Sequence, residues 1–286
     1  MATTVEIARV RVPQSSTRSE LRAIKIVWER EVVRFASDRL RMATALVQPL
    51  LFLFVLGTGL SRIASAGTGG LNLRTFLYPG ILAMSVLFTA MFSAASIVWD
   101  REFGFLREML VAPIRRSSIV IGKCLGGATV ATFQGALVIA LAGLVGVPYA
   151  PTLILGVFAL QALLAFTLTA FGVMVAVRIK QIQSFMALTQ MLVMPLFFIS
   201  GAMFPVTGLP TWLTVLNRID PLTYAVDPMR RLVFGHLQLS AATRARLDPA
   251  ITWAGWPVPT LVCVAVVAAL GVAMTAIAVA EFSADG

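Results

Sequence analysis

Residues 124–177 contain no Asp, Glu, Lys or Arg, and neither do residues 181–217. In a soluble globule, runs of that length would need burial on every side. In a bilayer they are ordinary, because each crossing takes about 20 apolar residues in a helix. Composition agrees: 58% of the 286 residues are hydrophobic and 13% charged, whereas soluble domains reach roughly 45–50% apolar even with Gly counted and carry roughly 25% charge. The chain reads as an all-α integral membrane protein, which excludes a disordered chain, a collagen-like fibre and a disulfide scaffold. Cys124 and Cys263 lie inside or beside apolar runs and read as small packing residues, with no disulfide implied.

Cutting the runs where charges or Pro-marked turns interrupt them gives six spans. They cover about 42–61, 75–98, 124–146, 151–177, 182–204 and 257–280, with the third and fourth separated at Gly146-Val147-Pro148-Tyr149-Ala150-Pro151. Residues 1–18 are expected to form a flexible tail, 19–41 an interface helix and 281–286 a short C-terminal tail. An even number of spans puts both termini on one side, and basic residues choose the side. Nine precede Met42, five lie between spans two and three (Arg101, Arg107, Arg115, Arg116, Lys123), and Arg178 and Lys180 follow span four, together 16 of 23. Both termini are therefore expected in the cytoplasm of a multi-pass cell-membrane protein. The first thirty residues contain no apolar signal core, so the first span is expected to direct insertion. The net charge of +10 reads as topology, and no nucleic-acid partner is expected.

At 100° per residue, Leu21, Ile24, Trp28, Val32 and Phe35 fall within an arc of roughly 80°, while Arg22, Arg30, Arg34 and Asp38 point elsewhere. That pattern predicts an amphipathic helix on the cytoplasmic leaflet, either as an anchor or as a docking element for a partner. The spans themselves contain no Asp, Glu, His or Lys, which argues against an ion-coupled carrier. His236, the single histidine, falls in the last outer loop as a solvated residue. Catalysis would need clustered carboxylates, histidines or thiolates, and Asp100, Glu102 and Glu108 have no such company. There is no phosphate-cradling G-x-x-x-x-G-K-[ST] loop. Gly57, Gly59, Gly126 and Gly127 sit inside apolar helices, where small residues permit close packing. Energy for uphill transport would come from another chain. The segment that would receive it is 99–118, where charges alternate with Phe, Leu and Met up to Ala112-Pro113. Phe103, Leu106 and Leu110 share one helical face, with Arg107 and Glu108 off it.

That loop, W-D-R-E-F-G-F-L-R-E-M-L-V-A-P-I-R-R-S-S-I-V-I-G-K, together with spans three and four, resembles the membrane-domain subunits of ABC-2 type transporters, particularly the daunorubicin-resistance and nodulation-factor export branch. A second match is Gly201-Ala202-Met203-Phe204-Pro205, then Leu209-Pro210, Asn217-Arg218-Ile219-Asp220-Pro221-Leu222-Thr223-Tyr224 and Asp227-Pro228-Met229-Arg230. The resemblance covers about 21–280. It implies an export pump with two membrane subunits and two separate ATP-binding subunits, with ATP and Mg bound by those partners and no cofactor or metal on this chain. It also places the coupling role on 101–116, with Arg101, Glu102, Arg107, Glu108, Arg115 and Arg116 as polar contacts and Phe103 and Leu106 as an apolar plug. The segment 204–234 would form short helices re-entering from the outer side, an exit gate built on Phe204, Pro205, Pro210, Trp212, Pro221 and Tyr224. Broken backbone at membrane depth needs such defined turns.

Spans one, two and five also offer Phe52, Phe88, Phe92, Met191 and Phe197 as a soft, uncharged path lining. Such a wall suits a hydrophobic or amphipathic drug, antibiotic or lipid. A polysaccharide or lipid-linked glycan cargo is the alternative, as is a non-transporting anchor or sensor that docks the same ATPase. The membrane half could be a homodimer or pair with a related subunit. The polar continuation 236–256 has no assigned role.

Overall fold

The computed structural model describes residues 16–59, 72–111, 114–204, 210–238, 251–253 and 255–284. Helix α1 (Thr17–Ser37) starts at a reciprocal cap in which Ser16 and Ser19 satisfy each other's backbone, and it ends where Asp38 leaves helical geometry. Helix α2 (Arg39–Leu50) carries Pro49 near its end and runs on through a π-helical segment, Leu51–Leu56, to Gly59. Proline removes an internal N–H, and a wider turn nearby is one way for a helix to absorb that loss. There follow α3 (Leu73–Glu102), the short α4 (Phe105–Val111), α5 (Arg116–Ile139), α6 (Pro151–Arg178), α7 (Ile182–Ile199), α8 (Thr211–Ile219), α9 (Thr223–Gly235) and α10 (Thr260–Ala284). A two-residue hairpin, β1 (Thr252–Trp253) with β2 (Trp256–Pro257), precedes α10.

Five of these helical stretches are long and apolar enough to cross a membrane: Met42–Gly59, Leu73–Glu102, Pro151–Arg178, Ile182–Ile199 and Thr260–Ala284. The third span expected from sequence coincides with α5. At 24 residues it is about 36 Å long at 1.5 Å per residue, but Lys123 and Gln134, both buried, dilute its apolar run. Helix α5 begins at Arg116 rather than 124 and stops at Ile139, after which a 3-10 turn, Ala142–Val145, and left-handed Gly146 hand over to Pro151 at the first turn of α6. Helix α3 likewise continues to Glu102, four residues beyond the expected end of span two.

Helix α3 is buried almost all round and packs against α5 and α6. The peripheral helices bury one stripe each, spaced four or seven residues apart. These are Ala23, Val27, Glu31 and Phe35 on α1; Phe185, Thr189, Val193 and Phe197 on α7; and Cys263, Val267, Gly271, Ala278 and Phe282 on α10. Spacing of this kind puts residues on one side of a helix. The remaining faces of α2 and α7 present Val47, Leu51, Val55, Met191 and Phe198 outward, as expected of surfaces covered by lipid or another subunit.

Glycine sets how closely α1 approaches α5. A Cβ added to Gly122 would lie 2.7 Å from Val27 Cβ, and one added to Gly126 would lie 2.6 Å from Glu31 Cβ. Gly126→Leu should therefore lower the thermal unfolding midpoint in detergent, at a cost of about 1–3 kcal/mol for overpacking. Gly59→Ala, where nothing lies within 4 Å of the new carbon, should leave that midpoint within about 0.5 kcal/mol of wild type. Equal midpoints for the two variants would contradict the packing described here.

Candidate functional site

At the end of the bundle that carries α1 and α4, helices bring five charges together. Lys123, two turns into α5, donates to Glu31 Oε1 of α1 at 2.5 Å, to Ser96 Oγ at 3.2 Å and to the Asp100 carboxylate in the last turn of α3. Lys123, Glu31 and Asp100 are all buried. Arg30 Nη2 reaches Asp100 Oδ1 at 3.2 Å, and Arg34 Nη1 lies 3.8 Å from the same oxygen. Buried charge must be paired and hydrogen-bonded to persist. Asp100 and Lys123, expected in the loop between spans two and three, are helix residues, since α3 and α5 run on past the ends of the charge-free runs.

The α1 face is also rotated from the expected one, by roughly 90° at 100° per residue. Its buried stripe is centred on Val27 and Glu31 and packs on α5. Phe35 is buried and meets Phe133 edge-on at 6.5 Å; Trp28 donates from Nε1 to Thr129 Oγ1 at 3.0 Å. Ile24 and Val32 are half-buried, while Leu21 points outward. Glu20 closes the near end of the helix: its carboxylate accepts from Arg115 N at 3.1 Å and from Ser118 Oγ at 2.5 Å, capping the start of α5.

The residues expected to couple to a partner divide into two sets. Arg101 Nη1 donates to the Val177 and Ile179 carbonyls at 2.8 and 3.1 Å, at the end of α6. Glu102 accepts from Ile182 N at 3.1 Å, at the start of α7. Arg116 Nη1 donates to the Ser283 carbonyl at 3.2 Å, at the end of α10. Each charge sits where a helix terminus presents the opposite polarity, so these side chains staple the helix ends together. Leu106 is buried and belongs to the core, which corrects its place in an exposed plug. The outward apolar surface is instead Phe103 (70% exposed), Phe105 (49%) and Val111 (86%), with Glu108 and Arg115 exposed beside it. Gly104, at φ 84°, makes the sharp turn between Phe103 and α4. Arg107 lies in α4, but its side chain, that of Leu110 and all of Pro113 fall outside the described residues. Arg30 joins both sets, since its guanidinium stands 5.6 Å from the Phe105 ring and its Nη1 3.6 Å from Met109 Sδ.

At the opposite end, α8 and α9 are stitched to the bundle. Asn217 Nδ2 donates to the Ile199 carbonyl at 2.7 Å. Tyr224 is buried; its hydroxyl donates to the Arg218 carbonyl at 2.7 Å and accepts from Trp253 Nε1 at 3.0 Å. Burial raises the Tyr224 hydroxyl above its usual range. Arg230, in the segment expected to form short re-entering helices, is buried on α9, with Nη2 2.7 Å from the Gly201 carbonyl and its guanidinium 4.8 Å from the Phe76 ring. Of the expected gate residues, Pro210 and Trp212 are exposed, Phe204 and Pro221 are half-buried, and Pro205 lies outside the described residues. Asp220 accepts from Leu222 N at 3.0 Å as α9 begins, and desolvation pushes its carboxyl up to about 7.

The expected path residues do not form one wall. Phe88 and Phe92 stack, with ring centroids 6.3 Å apart, and line a pocket of about 300 Å³ with Phe35, Thr44, Gln48 and Ser85. The buried Ser85 hydroxyl has no hydrogen-bond partner among the described residues. Phe52 and Phe197 pack edge-on against each other at 6.5 Å, and Met191 is exposed on the outer side of α7.

A helical bundle with several membrane-length helices, tied at their ends by charged side chains, defines a multi-span membrane protein. The family model for the ABC-2 type transporter matches residues 22–234, and the chain belongs to that family. It is 30% identical over 215 residues to nodulation protein J of Rhizobium leguminosarum bv. trifolii, covering 73% of this chain and 80% of the relative. A putative transport permease, ycf38, of Cyanophora paradoxa is 29% identical over 212 residues, 72% of each chain. The probable multidrug ABC transporter permease YbhR of Escherichia coli (strain K12) is 29% identical over 164 residues, 57% of this chain and 44% of the relative.

The raised carboxyl of Asp220 predicts a pH dependence of stability. The folded state favours the protonated form, so this group's contribution is complete below about pH 4 and is lost as pH rises through about 7. Asp220→Asn keeps an acceptor for Leu222 N and should be the more stable protein at pH 8, with a flatter midpoint between pH 4.5 and 8 by thermal unfolding in detergent. A variant as steeply pH-dependent as wild type would place the titrating group elsewhere.

Proposed function

We propose that the chain is the membrane subunit of an ATP-driven exporter that moves a hydrophobic or amphipathic small molecule out across the cytoplasmic membrane. ATP and Mg would be bound by two separate subunits, and a second membrane subunit would pair with this one. The observation that carries the reading is the exposed set Phe105 and Val111, placed beside Glu108 on a seven-residue helix, with exposed Phe103 just before its Gly104 turn, and with neighbours held by Arg101, Glu102 and Arg30. A floppy linker would dissipate a push; a helix braced against α3 and against Arg30 of α1 passes it on. Transmission further requires that the motor's two states contact this helix differently. In this reading the α1 and α4 end is cytoplasmic, in keeping with the concentration of basic residues. The six helices α2, α3, α5, α6, α7 and α10 cross the membrane, and α8 and α9 dip into its outer side as the exit gate. Motion of α4 would tilt α2, α3 and α7 and open a path at the subunit interface.

For cargo, the Phe88–Phe92 stack and the Ser85 hydroxyl give one pocket both an apolar wall and a polar handle. That suits a flat or chain-like amphiphile. A glycan cargo is favoured by a different observation: Trp212, Trp253 and Trp256 are exposed at the opposite end, where rings can stack on sugars, and one relative is named a nodulation protein.

In proteoliposomes containing the permease and its ATP-binding subunit, Glu108→Ala and Val111→Ser should each lower permease-stimulated ATP hydrolysis about tenfold, equivalent to about 1.4 kcal/mol, while assembly and unfolding midpoint stay unchanged. Leu106→Ala should do the reverse, costing about 2–5 kcal/mol of stability as a core truncation. Stimulation that survives in both surface variants would sink the docking assignment.

A further inference from the structure

The ion cluster links every element around α4 through one ammonium group. Phe105 and Met109 of α4 touch Arg30. Arg30 and Arg34 of α1 hold Asp100 at the end of α3, while Asp100 and Glu31 together hold Lys123 of α5. Ser96, one turn before Asp100, takes a further Lys123 hydrogen bond at 3.2 Å. Around this point Gly122 and Gly126 offer no side chain and face Val27 and Glu31. The other polar ties across the α1–α5 seam are exposed or part-exposed, Glu20 to Arg115 N and Ser118 and Trp28 to Thr129, and such contacts compete with water and hold register weakly. A buried charge must find its partners, and setting register is the best-attested use of buried polar groups.

We propose that Lys123 is a positioning residue for energy coupling: with Glu31 and Asp100 it locks α1, the end of α3 and the start of α5 in one register, so that displacement of α4 moves all three as one body. This rests on the reading that a separate ATP-binding subunit pushes α4. Lys123 touches neither nucleotide nor cargo in this scheme. Its role differs from simple stabilisation, because replacing a buried ion cluster by apolar side chains of similar size commonly preserves or raises stability. A lock lost in that way would leave a folded protein that transmits poorly.

The test uses the full-length chain with Cys124→Ala and Cys263→Ala, spin-labelled at exposed Lys25 on α1 and Leu125 on α5, in phosphatidylethanolamine–phosphatidylglycerol liposomes with its ATP-binding subunit. In the otherwise wild-type protein, the distance distribution should be narrow and unchanged by ATP with vanadate. The triple variant Glu31→Leu, Asp100→Leu, Lys123→Met should keep its unfolding midpoint, yet at least double the width of the resting distribution and lower permease-stimulated ATP hydrolysis about tenfold. Lys123→Met alone leaves Glu31 and Asp100 without their ammonium and should lower the midpoint, so it is read by the width of the distance distribution in the folded protein. Lys123→Arg, which keeps the charge, should restore the narrow distance. A folded triple or Lys123→Met variant with the wild-type width overturns the proposal. So does a Lys123→Arg protein as broad as Lys123→Met. If the wild-type permease leaves ATP hydrolysis unaffected, the export reading fails. The resting width needs no nucleotide and decides the lock independently.

Discussion

The arrangement of this protein turns on the burial of Lys123 between two carboxylates contributed by different helices. Removing an ion from water has an effective cost of several kcal/mol even after relaxation, and breaking one partner of such a pair costs about 3–5 kcal/mol. Three helices are therefore obliged to meet at one point: α1 through Glu31, α3 through Asp100 and α5 through Lys123. Other features follow from that convergence. The glycines that let α1 approach, the Glu20 cap on α5 and the Arg30 bridge to α4 all stand along the same seam.

The two ends of the bundle are built differently. At one, charged side chains bind helix termini and leave a small apolar surface outside, an arrangement suited to receiving another protein. At the other, Asn217, Tyr224 and Arg230 turn inward to carbonyl groups of the same chain, so two short helices are held against the bundle by polar contacts as well as packing. Between the ends, α3 is sheathed on all sides, whereas α2 and α7 each commit one stripe to the core. A bundle with a rigid centre and lightly attached outer helices can change shape at its margin without unpacking its core.

Much of this was legible in the sequence. Charge-free runs located the membrane-length helices, and Pro and Gly marked their breaks. The failures share a cause. Ending a span at its first charge is sound for a side chain facing lipid, but a charge paired inside the protein lets the helix continue, so Asp100 and Lys123 were assigned to a loop. The face of α1 was misjudged for the same reason: its buried stripe includes Glu31, which a search for apolar periodicity must pass over. In α4, seven residues give fewer than two turns, too few to distinguish Phe105 from Leu106 as the outward residue. The burial of Arg230 was not legible, because its partners are backbone carbonyls at Gly201 and Ala202, contributed by a distant turn without side-chain chemistry to reveal them.

On the proposed function, force enters at the α4 end through contact with a separate ATP-binding protein. Photocrosslinking tests it most directly. A benzophenone amino acid would be placed at Phe105, at Val111 or, at the opposite end of the bundle, at exposed Leu144, in membranes containing both subunits. The account predicts adducts with the ATP-binding subunit from positions 105 and 111 and none from 144. Adducts from 144, or none from either α4 position in an assembled complex, would contradict it.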